Sequence, residues 1–418
     1  MEVSSLVLSS SSPGQNTHRT PTASDGFDFT TAPFRRFFHA FFDIAAPLSV
    51  LLLLFGVVAN ILNIIVFTKI GVKDNVTVSF LALTVSDLTH LVLMSPHIVV
   101  STMEHFLVKF GVSIKWLFDP LILRNPFYWY AFVFYETSIL ITVYISVVRC
   151  ACVAMPLKVK TTFTVRRAII AFITFFLCVA LLRVPMFMSR RIVREFDQVS
   201  NASRVVYKEI DDGGLADMVN DIVSRNILTW ASFIVVIACV VVMVTKLRAS
   251  ARFRSSASAS KPDTRQISSA GSDDLNSTRN ANHDLSHPQN VNTIRNAELH
   301  AVPPVKTKEL AVENANLPNK RKDQVLSSRE SQVVRSVVLV AAVFITCQFP
   351  FMAYSLVRRF ESQFDATISE RGIPKFIYLF AFCANLSKLF SIMNASVNIF
   401  VYYNFNSRYR QCMKTLRK

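Results

Sequence analysis

The sequence predicts an all-α membrane protein, a seven-transmembrane helix bundle with a short amphipathic helix after the last span. Three observations carry the prediction. Only 17% of the 418 residues are charged and 51% are hydrophobic, whereas an ordinary soluble domain carries about 25% charge. The apolar residues gather into seven runs of at least 20 residues, the length a helix needs to cross the hydrocarbon core. Lysines and arginines crowd into alternate links between these runs, as they do where basic residues in short loops set the orientation.

Residues 1–40 are rich in Ser, Thr and Pro and read as a disordered extracellular tail. The opening "MEVSSLVLSSSSPGQ" has no basic front and too short an apolar run for a cleaved signal peptide, so the first span is expected to direct insertion. The spans lie near 43–68, 76–101, 127–155, 167–188, 225–247, 333–357 and 375–402, within the segments 41–249 and 330–403. They read as helices because hydrocarbon offers the backbone no partner, and a helix satisfies its N–H and C=O groups within its own segment.

The link between spans three and four holds Lys158, Lys160, Arg166 and Arg167 without an acid. The segment after span five opens with Lys246, Arg248, Arg252 and Arg254, and the tail carries Arg408, Arg410, Lys414, Arg417 and Lys418. The link between spans four and five instead mixes Arg190, Arg191 and Arg194 with Glu195, Asp197, Asp211, Asp212, Asp217 and Asp221. Basic links mark the cytosolic side. The amino terminus is therefore expected outside, the tail in the cytosol, and the chain in the plasma membrane as a multi-pass protein. The same placement accounts for the formal charge of +17 without nucleic-acid binding. The cysteines, Cys150, Cys152, Cys178, Cys239, Cys347, Cys383 and Cys412, all fall in spans or on the cytosolic side, so no exterior disulfide is expected.

Residues 250–329 have too few large apolar side chains to bury a core and read as a disordered cytosolic loop. Serines beside basic residues in "RFRSSASAS" and "SSRESQ" are candidate phosphorylation sites, each equally well read as plain linker. Of the glycosylation patterns only Asn201-Ala-Ser203 faces outward; those at Asn75, Asn276 and in span seven lie inside or buried and match by chance. Residues 404–418 place Phe405, Tyr409, Cys412 and Leu416 at helical spacing among basic residues, which suits a helix lying on an anionic inner leaflet. Cys412 is a candidate palmitoylation site, with an unmodified thiol as the plainer reading.

Strongly polar groups inside a span are costly and turn toward the bundle interior, so each is a functional candidate. "SFLALTVSDLTHL" carries Asp87, "FYETSIL" carries Glu136 and Ser138, and "NLSKLFSIMNASVNIFVYY" carries Lys388, Asn394, Asn398 and Tyr402; span one adds Asn60 and Asn63. Asn394, Asn398 and Tyr402 recur every fourth residue and share a helix face. A lone Ser138 is more simply packing glue between helices, but an unpaired Asp87 at mid-depth needs a proton or a cation. Arg149 closes the apolar run "YISVVRCACVAMPLKVK" with no carboxylate beside it.

The stretches "GVVANILNIIVF", "LALTVSDL", "SVVRCACVAMPLK", "FITCQFP" and "NASVNIFVYY" follow one another in the chain. In these, over about 40–415 apart from the long inner loop, the sequence resembles the rhodopsin-like (class A) G-protein-coupled receptors and, among them, the divergent invertebrate group of gastropod chemosensory and FMRFamide-like peptide receptors. The resemblance implies a receptor that passes the binding of an extracellular peptide or small chemosensory ligand to a heterotrimeric G protein. By the same resemblance Asn60 and Asp87 are polar anchors, and Asp87, Ser138, Asn394 and Asn398 hold a sodium ion in the bundle core, an oxygen-rich set suited to a hard cation. No other cofactor is implied. Arg149 rests across the cytosolic helix ends and swings to meet the G protein, Phe344, Cys347 and Pro350 belong to a kinked sixth span, and Asn398 and Tyr402 belong to the seventh-span motif. Arrestin and kinases are implied partners of residues 250–329 and the tail.

The departures from that pattern are specific. Val148 stands where the family places an acid next to the arginine, so no local carboxylate restrains Arg149. Gln348 replaces the tryptophan below the ligand pocket, and Ile399 the proline of the last motif, so the usual rotamer switch and seventh-span kink lack their residues. Span five has neither proline nor tyrosine, and no cysteine tops span three, which leaves the exterior loop to be held by packing or ligand.

Ala131 stands where amine receptors carry an aspartate, which argues against amines. Ile392 holds the position of the opsin retinal lysine, one turn beyond Lys388, which argues against a light sensor. Lys388 reads as a cation facing the outer cavity, suited to a carboxylate or a peptide C-terminus. It reads equally as an internal partner of Glu136 or another acid, or as a stem that snorkels outward. Glu136 with Arg183 is a further candidate pair. Glu136, Tyr135, Gln348 and His97 complete the ligand-binding candidates. In the run Trp129, Tyr130, Phe132, Phe134 and Tyr135, about half must face lipid or neighbouring helices. His90 and His97 read as packed polar residues, since no third metal ligand presents itself.

An ion-coupled transporter or channel, with Asp87, Glu136 and Lys388 as an ion path, is the alternative. The chain lacks the repeat symmetry and paired broken helices of transporters. No nucleophile–base arrangement or metal-ligand spacing speaks for an enzyme, and no catalytic residue is assigned.

Overall fold

The computed structural model describes residues 32–112, 120–197, 202–209, 219–259, 328–360 and 376–416. Among them seven helical segments are long and apolar enough to cross a membrane: Arg36–Ile70, Asn75–Lys109, Pro120–Ala154, Val165–Met188, Ile222–Lys246, Val338–Val357 and Ile377–Asn404, spans one to seven. The chain divides into two units. Met1–Ala251 with Leu326–Lys418 holds the bundle, and the described part of Arg252–Val325 is the helical end of span five.

The helices outrun the expected spans. The first begins at Ala32, inside the segment 1–40 read as a tail, because Phe38 and Phe42 pack with Ile377, Tyr378 and Phe380 of span seven. The fifth continues to Ala259 and the sixth starts at Ser328, so both ends of 250–329 are helical. No Gly or Pro interrupts "KLRASARFRSSASA", and its Ala and Arg favour a helix. The remainder of both segments lies outside the described residues.

Beside the contact of Phe38 and Phe42 with span seven, two larger apolar clusters fill the bundle among the described residues. One joins Leu91, Met94, Phe132, Tyr135, Phe344 and Ile392; the other joins Phe67, Phe80, Ile145, Met243, Tyr402 and Tyr409. Lipid tails are as apolar as these side chains, so dispersion and fit, more than escape from water, select their inward position. Span one comes close to spans two and seven at Gly56, where a methyl group would collide with Ser396 Oγ and with Leu91.

Hydroxyls along the spans mostly satisfy themselves. Thr84, Thr137, Thr142 and Ser146 each donate to the carbonyl four residues earlier. Ser86 and Ser138 instead reach across helices, to the Phe134 carbonyl and to Asp87. Polar contacts of this kind thus join spans two and three.

Span seven is two helices, Ile377–Ser396 and Asn398–Phe405, broken at Val397. No proline stands there. Asn60 donates to the Ala395 carbonyl at 2.8 Å, Ser396 Oγ reaches the Leu52 carbonyl at 3.3 Å, and the Phe400 N–H turns back to Val397 at 3.1 Å. Side chains entering the backbone ladder break it where the sequence offered no breaker. The expected single face of Asn394, Asn398 and Tyr402 is accordingly divided between two helices.

The linker between spans four and five is a further correction to an all-helical reading. β1 (Arg190–Asp197) and β2 (Ala202–Glu209) form an antiparallel hairpin with Arg190 opposite Glu209 and Asp197 opposite Ala202. Its Ile192, Val193, Val205, Val206 and Tyr207 are strand-favouring residues. Span five is then entered through a π-helical stretch, Val219–Leu228.

After span seven, Asn406 Oδ1 accepts from the Tyr409 N–H at 3.1 Å and starts the tail helix Ser407–Leu416. Tyr409 is fully buried and donates to Asn63 Oδ1 of span one, while Cys412, Met413 and Leu416 pack into the second apolar cluster. Tyr409, Cys412, Met413 and Leu416 of the tail helix thus face the bundle. Burial holds the Tyr409 phenol above its ordinary range, so it remains a donor.

Candidate functional site

Span two carries Asp87 to the middle of the bundle, where it is 1% exposed. Ser138 Oγ donates to one carboxylate oxygen at 2.6 Å and Asn398 Nδ2 to the other at 2.8 Å. Both donors are neutral, and among the described residues no cation pairs with Asp87. Its two oxygens and the Ser138 hydroxyl form an oxygen-rich set that fits a hard cation. Asn394 is buried on the turn before the Val397 break and makes none of the hydrogen bonds to Asp87. The structure thus brings together three of the four expected residues.

Arg149, near the end of span three, shares a cavity of about 10 Å³ with Asn75, Ser79 and Phe80 of span two and with Val148. No carboxylate pairs with it among the described residues. Asp74, whose charge it feels, caps span two through the Thr77 N–H at 2.8 Å and lies 3.7 Å from Arg408. Val148 is buried, as a valine in place of an acid permits. Nearby, the Tyr402 ring meets Phe67 edge-on at 5.0 Å and Phe80 at 4.9 Å. Phe344 and Cys347 are buried in the sixth helix, which runs unbroken from Ser328 to Phe360 through Pro350.

At the hairpin end, Glu136 is internally paired. Arg183 of span four donates to it and to Asn220 of the π-helical stretch, and its guanidinium lies 5.8 Å from the Phe132 ring centre. Gln348 is fully buried and donates to the Tyr135 hydroxyl at 2.8 Å, tying span six to span three where the family has its tryptophan. His90 contacts the Ala131 carbonyl at 3.0 Å. Among the described residues no three His, Cys, Asp or Glu side chains gather as a metal site.

The hairpin is held by an aromatic clamp that the sequence did not reveal. Arg190 lies 4.5 Å and Arg225 5.9 Å from the Trp129 ring centre, distances at which a guanidinium is attracted by the ring. The loop that lacks a disulfide is thereby attached to span three. The only sequence signal was one tryptophan at the top of that span.

Lys388 is not paired with Glu136 or with any other acid among the described residues. Its Nζ lies 3.4 Å from His97 Nε2, and the His97 ring lies against Tyr128 with centres 4.5 Å apart. Both line a cavity between spans one, two and seven. Cys412 turns its sulfur toward the Val66 carbonyl at 3.9 Å. Asn201 lies outside the described residues.

This arrangement is a seven-helix membrane bundle, with Asp87 joined to Ser138 and Asn398 in its core and Asn60 bonded to the backbone of span seven. The family of 7 transmembrane receptors (rhodopsin family) matches residues 59–401, and the chain belongs to that family. No curated protein matches the chain. It is a multi-pass membrane receptor and not an enzyme.

Proposed function

We propose that this receptor sits in the plasma membrane with its amino terminus and hairpin outside. In this reading it binds a peptide or small chemosensory ligand and passes the signal to a heterotrimeric G protein at the Arg149 end. The observation that carries the reading is that Arg149 has no carboxylate partner among the described residues and holds only the Cys152 thiol. With Val148 in place of an acid and Asp74 engaged by a helix cap, the guanidinium is available to partner carbonyls and carboxylates. The basic links at that end supply a matching surface for a G protein and for arrestin and kinases acting on residues 250–329 and the tail. Asp87, Ser138 and Asn398 would hold a sodium ion when it binds, the ion supplying the positive partner that Asp87 lacks among the described residues, and Asn394 is the fourth residue of the proposed site. Cys412 as a palmitoylation site and Asn201 as a glycosylation site complete the reading.

Ligand binding shifts a bundle between two packings only as far as it binds one better than the other. The buried Glu136–Arg183 and Tyr135–Gln348 contacts tie spans three, four and six and are the packing to be rearranged. The test is a screen of short peptides and amino acids for calcium or cyclic-nucleotide responses in cells expressing the receptor. Responses that vanish in cells expressing Arg149→Ala at normal surface levels support the proposal; responses unchanged by that substitution contradict it.

A further inference from the structure

A cavity of about 440 Å³ lies where the hairpin meets the ends of spans three and four, a volume within the roughly 300–1,000 Å³ of small-molecule sites. Tyr130 of span three with Met186 and Phe187 of span four form its apolar wall, and Arg190, Arg191 and Tyr207 of the hairpin form its polar one. Among the described residues no acid lines it. The two guanidiniums are not equivalent. Arg190 lies against the Trp129 ring, whereas Arg191 is exposed and pairs with no carboxylate among the described residues.

The apolar wall continues onto the outside of the bundle. Tyr130 is 48% exposed and stacks on Phe187 with ring centres 4.6 Å apart. On span four, Leu177, Leu181, Val184 and Met188 are exposed at helical spacing and form a stripe that leads away from the cavity, where the bilayer covers it. Depth fixes what stands at the other end. Span four has 24 residues and rises about 36 Å, against a hydrocarbon core of about 30 Å and about 40–45 Å with head groups included. Arg191, just beyond the last helical residue Met188, therefore stands at the level of the lipid phosphates. A guanidinium fork binds phosphate through two parallel N–H bonds.

We propose that this cavity holds one phospholipid of the leaflet on the hairpin side, its phosphate on the Arg191 guanidinium and one acyl chain laid over Tyr130 and Phe187 along span four. The lipid joins the hairpin to spans three and four beside the Arg190–Trp129 contact, in a linker that contains no cysteine. A soluble anion would meet the guanidinium without burying a chain, and a diacylglycerol would bury a chain without meeting the guanidinium. The site needs both parts in one molecule.

The test uses the full-length chain with Trp116→Phe and Trp230→Phe, which leaves Trp129 in the cavity wall as its only indole, in dodecyl maltoside micelles free of phosphate. Phosphatidylglycerol brominated on its acyl chains is titrated in, with brominated diacylglycerol as the control that lacks the phosphate. Phosphatidylglycerol is expected to quench Trp129 to saturation at a mole fraction about tenfold below that of diacylglycerol. Arg191→Gln should remove the difference, and Arg191→Lys should keep part of it. Should the tryptophan substitutions unfold the chain, native mass spectrometry of the otherwise unmodified protein is expected to retain a phosphatidylglycerol that Arg191→Gln loses. Equal quenching by the two lipids, quenching or retention unchanged in Arg191→Gln, or displacement by glycerol phosphate at the same concentration would overturn the assignment.

Discussion

Asn60 donates to the Ala395 carbonyl at 2.8 Å, one residue before Ser396 closes the first half of span seven. The same amide group also reaches the Gly56 carbonyl at 2.8 Å. Hydrogen bonds within membranes average about 0.6 kcal/mol, so the loss of both in Asn60→Ala is expected to cost about 1 kcal/mol. Thermal unfolding of the purified receptor checks this. An unchanged midpoint would mean that the break at Val397 does not depend on span one.

The approach of spans one and seven sets a second expectation. Gly56→Ala drives a methyl into Ser396 Oγ and Leu91, and overpacking of this kind costs about 1–3 kcal/mol. Ser396→Ala removes the nearest atom, so the double variant should recover part of the loss. Strict additivity of the two single effects would contradict the contact.

Glu136 and Arg183 form a buried pair that is costly to break and cheap to replace. Removing either partner leaves a stranded charge at about 3–5 kcal/mol, whereas exchanging both for apolar groups is often neutral. Glu136→Leu and Arg183→Met alone should each reduce surface expression sharply, and together they should restore much of it. If the double variant expresses worse than either single one, the pair is not the unit the structure indicates.

Sodium gives a fourth expectation. At ten times its dissociation constant, a bound ion stabilises the folded state by about 1.4 kcal/mol. The unmodified receptor should therefore melt higher in sodium than in choline chloride, and Asp87→Asn should melt alike in both. A sodium effect that persists in Asp87→Asn places the ion elsewhere.

The spans were legible because hydrocarbon imposes length and composition on every segment that crosses it. The grouping of Asp87 with Ser138 and Asn398 followed from the family resemblance, whereas the residues by themselves marked Ser138 only as packing glue. Other features were not. The strands around residues 198–201 carry strand-favouring residues, but interleaved charges hid them in a linker. Ile399 carries no break signal, since the break at Val397 comes from Asn60, far away in sequence. The period that places Tyr409 and Cys412 on one helix face is the same whether that face meets lipid or the bundle, and only the contact of Tyr409 with Asn63 decides. Trp129 with Arg190, and Lys388 with His97, are long-range pairs that no local pattern encodes.

The measurement that bears most directly on the central claim is G-protein nucleotide exchange driven by the receptor reconstituted in nanodiscs, comparing the unmodified chain with Arg149→Ala. Because no carboxylate among the described residues restrains Arg149, the unmodified receptor is expected to promote exchange measurably even without added ligand, and Arg149→Ala, folded and inserted to the same extent, to lose at least nine-tenths of that rate. Equal exchange by the two proteins would contradict the account.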